Sequence, residues 1–494
     1  MTHQKQTYIS LLLIALSAAL YSVPFIYAIA WPLLFFCLAP LFYVIADRYY
    51  TKQPMPSFGA GYLWGGIATI FHLSSVFYSM THSGPSNTLA MLLRALPLVP
   101  IMAYATLYAA LWFWIVALSN KYIPAKNIVD LLIRWIVATA LYFYIVSNCY
   151  MFVFGRIEGY SLLNPLLPLA TKSFLIDPLM HCGEFVGLIA LVTLNASIGM
   201  MLYYILHKKY GACILPAAIV STIIILWTAS ALSIQKQIPD NSKQAQSLLG
   251  EIVHCPSFFR QRTNNTLDVV ENISTLLKAA AAKYPQAHTF ITQEAATRVS
   301  SFPYTKVLSE PFNQDFIGRP IQLLLGAFRW DRELYHNSLY CFYNGAITNC
   351  HDKRHAMAFE ERMPWIINWP VLKDAFFGTF TPINPCKLPR KPFVLNNGVT
   401  ILPYICSELF FNSHPDEEPD ILKQKLPILA ACNDSWSKLP YTHELMALHV
   451  KYKAIYWQRI IIYDAFNKGL LITPDGTIYQ LARYSRLDDI SLRA

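Results

Sequence analysis

Charge is scarce in this chain: Asp, Glu, Lys and Arg make up 14% of its 494 residues against 55% hydrophobic residues, and mean hydropathy is +0.35. Soluble domains carry about 25% charged residues, so the deficit excludes an ordinary soluble protein of this length. No internal repeat or low-complexity tract is evident, and no His/Cys spacing resembles a metal site. The start of the chain is only weakly basic and further apolar spans follow at once, which argues against a cleaved signal peptide. The apolar excess lies before residue 235 or so, and the first half is expected in lipid.

Segments near the roughly 20 residues that cross a bilayer run about 8–23, 24–46, 59–81, 90–118, 129–153, 184–206 and 212–234. The first two are separated only by a short break near Ser22, Val23 and Pro24. With the N-terminus in the cytoplasm, Lys5, Arg48, Lys52, Lys121, Lys126, Lys208 and Lys209 all fall on the cytoplasmic side, whereas the loop THSGPSNT has neither Lys nor Arg. An odd number of spans then puts everything after about residue 235 outside, which in a Gram-negative cell is a periplasmic domain on the inner membrane. The net charge of +10 is in part this topology signal and is not a nucleic-acid footprint. Arg94 and Arg134 fall in or beside spans, where they either snorkel to a headgroup region or contact a lipid phosphate or the outer domain.

The expected division is therefore residues 1–235 in the membrane, a linker at 236–248 and an extracytoplasmic domain at 249–494. In the last, Val269, Val270, Ile273, Leu276, Leu277 and Ala280 recur at helical spacing, followed by the short apolar HTFIT. Strands are expected at 321–328, 337–344, 399–406, 427–433 and 459–465, and helices before Leu426 and at about 441–457. Asn344-Gly345 and Pro474-Asp475-Gly476 mark hairpins and Asn397-Gly398 a turn. Interleaved strands and helices predict a layered α/β sandwich.

Three residues at or just beyond predicted strand ends can do chemistry together. A cysteine nucleophile needs a base, and the tetrahedral intermediate needs donors aimed at its oxyanion. Glu294 can supply the base, Lys353 the cationic donor and Cys406 the nucleophile. Each also has a plainer reading: Cys406 as a small core residue, Glu294 as a helix-start carboxylate, Lys353 as a solvated charge beside a hairpin.

The segments TFITQEAAT, LLLGAFRW, ELYHNSLY, DKRHAMAFEERMPW, TILPYICSELFF and NDSWSK, behind GYLWGGIATIFHLSSVFYSM and GYSLLNPLLPLATKSFLIDPLMHCGEFVG, occur in a family's order. Together they resemble the nitrilase (carbon-nitrogen hydrolase) superfamily, in its membrane branch typified by bacterial apolipoprotein N-acyltransferase. The resemblance implies an N-terminal multi-pass α-helical transmembrane domain plus a C-terminal α/β nitrilase-like four-layer αββα sandwich. It makes Glu294 base, Lys353 oxyanion stabiliser and Cys406 nucleophile, with Glu361, Glu408 and Asn337 supporting them. Trp436, Phe410, Phe411 and Trp365 are its candidates for substrate contact. It implies acyl transfer from a phospholipid donor to the amine of a lipoprotein or another acceptor, both delivered by membrane lipid, with no metal or organic cofactor and no nucleic acid.

Against the family pattern, Gln293 stands for a proline, Ala358-Phe359-Glu360-Glu361 for Pro-Phe-Gly-Glu, Ser407 for a tyrosine and Tyr456 for a glutamate, while Arg459 is kept. The sequence ends at SLRA without the last transmembrane helix of typical acyltransferases, as in shorter nitrilase-like proteins of conjugative transfer. Amide hydrolysis by the same triad and a non-enzymatic role in a membrane assembly are the other readings. Six cysteines (Cys255, Cys341, Cys350, Cys386, Cys406 and Cys432) lie in the outward domain, where Cys341 and Cys350 could pair across their hairpin. The charge pattern predicts that a reporter active only outside the cytoplasm is active when fused after Leu249, and inactive when fused after Lys126.

Overall fold

The structure, a computed structural model, describes residues 3–82, 98–149, 164–235, 242–256, 266–294, 320–331, 334–343, 346–356, 361, 382–386, 388–410, 424–434, 439–466 and 468–484. It divides into two compact units, one of Met1–Phe152, Ile157–Ile238 and Ser437–Tyr452, the other of Val153–Arg156, Pro239–Trp436 and Lys453–Ala494.

The first unit is helical: α1 (His3–Ile26), α2 (Ala39–Tyr50), α3 (Phe58–His82), α4 (Leu98–Tyr122), α5 (Ile128–Cys149), α6 (Ser173–His181), α7 (Glu184–Leu206) and α8 (Ile214–Gln235). Among the described residues five segments are long and apolar enough to cross a membrane: Gln4–Ile26, Ala28–Tyr50, Ile128–Asn148, Glu184–Leu206 and Tyr210–Ser233. They are the mark of a membrane protein. The helices α3 and α4 occupy the other two expected positions, and residues 83–97, where the fourth expected span starts, lie outside the described residues with Arg94.

The break between the first two spans is not where the sequence suggests. Helix α1 runs through Pro24, because a proline in the last turn removes only one ladder bond. The chain leaves the helix at Tyr27 (φ −121°, ψ 94°) and makes a 3₁₀ stretch, Ala28–Phe35, before α2. In an apolar unit the freed backbone groups need partners, and buried Asn195 of α7 supplies them. Its Nδ2 donates to the Leu34 carbonyl at 2.8 Å and its Oδ1 accepts from the Leu38 N–H at 2.8 Å. Small residues bring the helices together. A Cβ on Gly61 would lie 2.6 Å from the Ala109 carbonyl oxygen, and one on Gly199 2.6 Å from that of Ala39. Arg134 is held by Asp130 one turn away at 2.8 Å, so its charge is met inside α5.

The second unit holds α9 (Ser242–Glu251), α10 (Thr266–Lys283), α11 (Ser407–Phe410), the last turns of α12 (Pro440–Trp457) and twelve strands. The strands are β1 (Ile252–His254), β2 (Thr289–Ile291), β3 (Gln322–Asp331), β4 (Leu334–Tyr343), β5 (Ala346–Asp352), β6 (Phe393–Val394), β7 (Thr400–Ile405), β8 (Ile428–Ala431), β9 (Ile461–Asp464), β10 (Gly469–Ile472), β11 (Ile478–Gln480) and β12 (Ala482–Arg483). They form two six-stranded sheets, ordered β12-β1-β2-β3-β4-β5 and β11-β10-β9-β8-β7-β6.

Side-chain alternation sets the layers. On one face of the first sheet Val253, Phe290, Leu323, Leu325, Tyr340 and Phe342 pack with Ile273, Leu277 and Ala280, the apolar stripe of α10. On the opposite face His254 reaches Asp464 of the second sheet, both fully buried, through a hydrogen bond from or to its Nδ1. Trp457 of α12 lies against Tyr404 of β7, with ring centroids 6.2 Å apart. The order is helix, sheet, sheet, helix, the four-layer αββα sandwich expected.

The strands at 321–328, 337–344, 399–406, 427–433 and 459–465 appear with ends shifted by a few residues, as does the helix at 441–457. Asn344, Gly345 and the stretch 411–423 before Leu426 lie outside the described residues. The suggested Cys341–Cys350 pairing is corrected: neither is in a disulfide, and Cys350 lies opposite Tyr340 while Cys341 lies opposite Asn349. This one-residue offset puts them on opposite faces, Cys350 against the α10 core and Cys341 in contact with Gln322 Nε2 at 3.2 Å.

Asn195→Leu strands two backbone groups at roughly 1–3 kcal/mol each, so the purified protein in detergent should melt well below the parent.

Candidate active site

Strand direction decides where the chemistry can gather. β1, β2 and β3 are parallel, β4 is antiparallel to β3, and β5 is antiparallel to β4, so β5 ends at the same edge as β2 and β3. In the other sheet β7, β8 and β9 are parallel. Glu294 follows β2, Lys353 follows β5, Cys406 follows β7, and Cys432 and Asn433 follow β8. Asn337 sits near the start of antiparallel β4, at the same edge.

The structure brings these residues together. Lys353 Nζ donates to Glu294 Oε1 and to Glu361 Oε1, each at 2.8 Å, with the lysine side chain 1% exposed. Asn337 Nδ2 donates to the same two oxygens at 2.7 and 3.0 Å. The other oxygen of Glu294 accepts the Asn433 N–H at 3.1 Å. The Cys406 thiol lies within hydrogen-bonding reach of Glu294 and of the Cys432 sulfur. Two carboxylates thus face one ammonium and one thiol in a site where every member is buried or nearly so.

Burial and charge pull the protons in a definite direction. Burial works against the Lys353 ammonium, but attraction to Glu294, and then to Glu361 and the Cys406 sulfur, outweighs it and holds its pKa well above the ordinary value. Lys353 is therefore a permanent cation and donor, and not a base. Burial raises the Glu294 pKa, Lys353 opposes this and Glu361 reinforces it, so the carboxyl stays above its ordinary value. The hydrogen bond with Cys432, burial and the Glu294 charge push the Cys406 thiol well up, against the pull of Lys353. At rest Cys406 is a thiol beside a carboxylate of increased basicity, suited to proton transfer during attack rather than before it.

Backbone geometry aims the sulfur. Cys406 has φ +43°, a left-handed conformation that a side-chain-bearing residue adopts only under constraint. It stands between β7 and the short α11, and its N–H donates to the Ala431 carbonyl at 2.8 Å. Glu408 fastens this turn. It accepts from the Ile405 N–H at 2.7 Å, the Arg354 N–H at 2.8 Å and His351 Nε2 at 3.0 Å, with Arg390 Nη2 3.3 Å away. Burial alone would raise its pKa, but the charges of His351 and Arg390 and these hydrogen bonds hold it far below the usual carboxylate range. Glu408 is thus an acceptor for four donors and ties the turn after β7 to the end of β5. Ser407 adds a bond from its Oγ to the His355 carbonyl at 2.9 Å.

Sequence reasoning missed His351, Arg390, Asn433, Cys432 and Gly326. A Cβ at Gly326 of β3 would overlap the Gln293 carbonyl oxygen and lie 2.9 Å from Glu294 Cα. The signal for it was a lone glycine inside an apolar strand, which marks close backbone approach. Of the substrate-contact candidates, Trp365, Phe411 and Trp436 lie outside the described residues, as does Glu360, and of Phe410 only the backbone is described, in α11.

No protein-family model and no curated protein sequence matches the chain. Among solved structures, a carbon-nitrogen hydrolase from Helicobacter pylori is similar at 13% identity, over 46% of this chain and 83% of that one, with TM-score 0.32. A Saccharomyces cerevisiae member of branch 10 of the nitrilase superfamily is similar at 11% identity, over 47% and 85%, with TM-score 0.32. A glutamine-dependent NAD+ synthetase from Acinetobacter baumannii is similar at 12% identity over 47% of this chain and 42% of its own, with TM-score 0.31.

Gly326→Ala should displace Glu294 and slow alkylation of Cys406 by a neutral thiol reagent roughly 10- to 100-fold, with an unchanged far-UV spectrum. In the parent protein that reaction should accelerate as pH rises through the raised Glu294 pKa, because only the carboxylate accepts the proton. Glu294→Gln should remove this limb; a limb that survives would exclude Glu294 as the base.

Proposed function

We propose that this protein is a membrane-bound acyltransferase of the carbon-nitrogen hydrolase type, working through a thioester on Cys406. The observation that carries the reading is the buried contact of Glu294, Lys353, Asn337 and Glu361 beside a cysteine of positive φ. Metal-free acyl chemistry needs a nucleophile, a base and a fixed cation, and this cluster offers one of each.

In the first half-reaction the Cys406 sulfur attacks the carbonyl carbon of a phospholipid acyl ester as Glu294 takes the thiol proton. Lys353 and N–H groups of the turn after Cys406 stabilise the oxyanion. The C–O bond breaks, Glu294 returns the proton to the leaving alkoxide, and a lysophospholipid departs. In the second, the amine of a lipoprotein N-terminal cysteine attacks the thioester. Glu294 takes its proton, the C–S bond breaks, and the thiol re-forms as the amide leaves.

The five apolar segments favour lipid substrates, because each acyl CH₂ taken out of the bilayer costs about 0.8 kcal/mol. The bacterial inner membrane, with the sheet domain on the periplasmic side, fits the Lys/Arg loop pattern. Amide hydrolysis is the second reading, favoured by the same cluster, with water as the attacker of the thioester.

Purified protein incubated with phospholipid should gain one fatty-acyl mass on Cys406 by intact and peptide mass spectrometry, absent in Cys406→Ala. Lys353→Met should lower the rate of adduct formation by roughly 100-fold or more, the scale of losing an oxyanion donor. A folded protein whose Cys406 reacts with thiol reagents but never acquires the acyl group would overturn the phospholipid donor and leave amide hydrolysis.

A further inference from the structure

We infer that Cys406 and Cys432 form a reversible disulfide, a modification site that switches the nucleophile off. Ile405 and Ala431 are register partners on parallel β7 and β8, and the Cys406 N–H donates to the Ala431 carbonyl at 2.8 Å. The next pair in that register is Cys406 with Cys432, one residue beyond each strand. Neighbouring strands lie about 4.8 Å apart, inside the roughly 4.4–6.8 Å Cα separation that a disulfide spans. The two thiols are close enough that each acts on the other's proton. Both are free thiols in the structure. Contrast Cys341 and Cys350, whose one-residue offset faces them apart.

Exposure gives the two sulfurs different parts. Cys406 is 7% exposed and Cys432 fully buried, so an incoming reagent meets Cys406 first. The inference rests on the reading of Cys406 as the site's nucleophile, with Glu294 as its base. The oxidant is a small-molecule or protein disulfide, RSSR. Cys406 sulfur attacks one sulfur of RSSR as Glu294 takes its proton; the S–S bond breaks and RSH leaves with that proton. Cys432 sulfur then attacks Cys406 Sγ, its own proton leaves with the second RSH, and the internal disulfide closes. Two electrons pass from the cysteine pair to RSSR, and a dithiol reverses the exchange. A domain outside the cytoplasm sits where such bonds form and persist.

The test treats the full-length protein in detergent micelles with oxidised glutathione and maps peptides by mass spectrometry without reduction. The expected result is a linked Cys406–Cys432 peptide pair, removed by dithiothreitol, while Cys432→Ser stops at a Cys406–glutathione mixed disulfide. Arrest of the parent protein at the mixed disulfide, a link from Cys406 to another cysteine, or no oxidation of a Cys406 that iodoacetamide alkylates would each overturn the inference. The parent mapping decides the pairing even where the variant misfolds. Acylation is assayed separately on reduced and oxidised protein. Linkage without acylation of the reduced form sinks only the acyl reading, and acylation that continues in the linked form overturns the switch.

Discussion

An ammonium ion with 1% of its side chain exposed is the constraint around which the second unit is arranged. Removing a lysine charge from water costs several kcal/mol unless opposite charge and hydrogen bonds replace its hydration. Here three strand-end segments and one strand interior must converge to do so: Glu294 after β2, Glu361 beyond β5, Asn337 within β4, and Lys353 itself. Because one lysine bonds two carboxylates and one amide bonds the same two, no member can shift alone. The site is rigid because each part satisfies another, and that rigidity sets the proton balance among Glu294, Lys353 and Cys406.

The supports around this centre have the same character. Glu408 gathers N–H donors from Ile405 at the end of β7 and from Arg354 just beyond β5, so the turn carrying Cys406 and the strand leading to Lys353 move as one piece. Gly326 lets the Glu294 backbone lie flat on β3. In the helical unit, Asn195 does for a broken span what Glu408 does for the strand end: one buried side chain closes the backbone valences of a neighbour far away in sequence.

What the sequence made legible follows from the range of each cause. The span 184–206 was read to the residue because an unbroken apolar run between Gly183 and His207 is a local signal, and the stripe of α10 was readable from its period. Glu294 and Cys406 were visible as polar residues closing apolar strands, and Lys353, after the polar AITNCHD, only from its place in the segment DKRHAMAFEERMPW. The three-residue β1 and the strands β10, β11 and β12 were too short to show a period. His351, Arg390, Asn433 and Cys432 were hidden because their roles come from register across sheets, which no window along the chain contains. The Cys341–Cys350 expectation failed on the same ground, since a one-residue difference in register reverses a side chain's face.

The positive φ of Cys406 separates the shape of the site from its reactivity. The strain lies in the main chain and is held by the Ala431 carbonyl and by Glu408 through the neighbouring residue, not by the sulfur. Deleting the sulfur therefore leaves the mould around it standing. An alanine there keeps the pocket's form while removing the one group in it that can form a covalent bond to an acyl carbon.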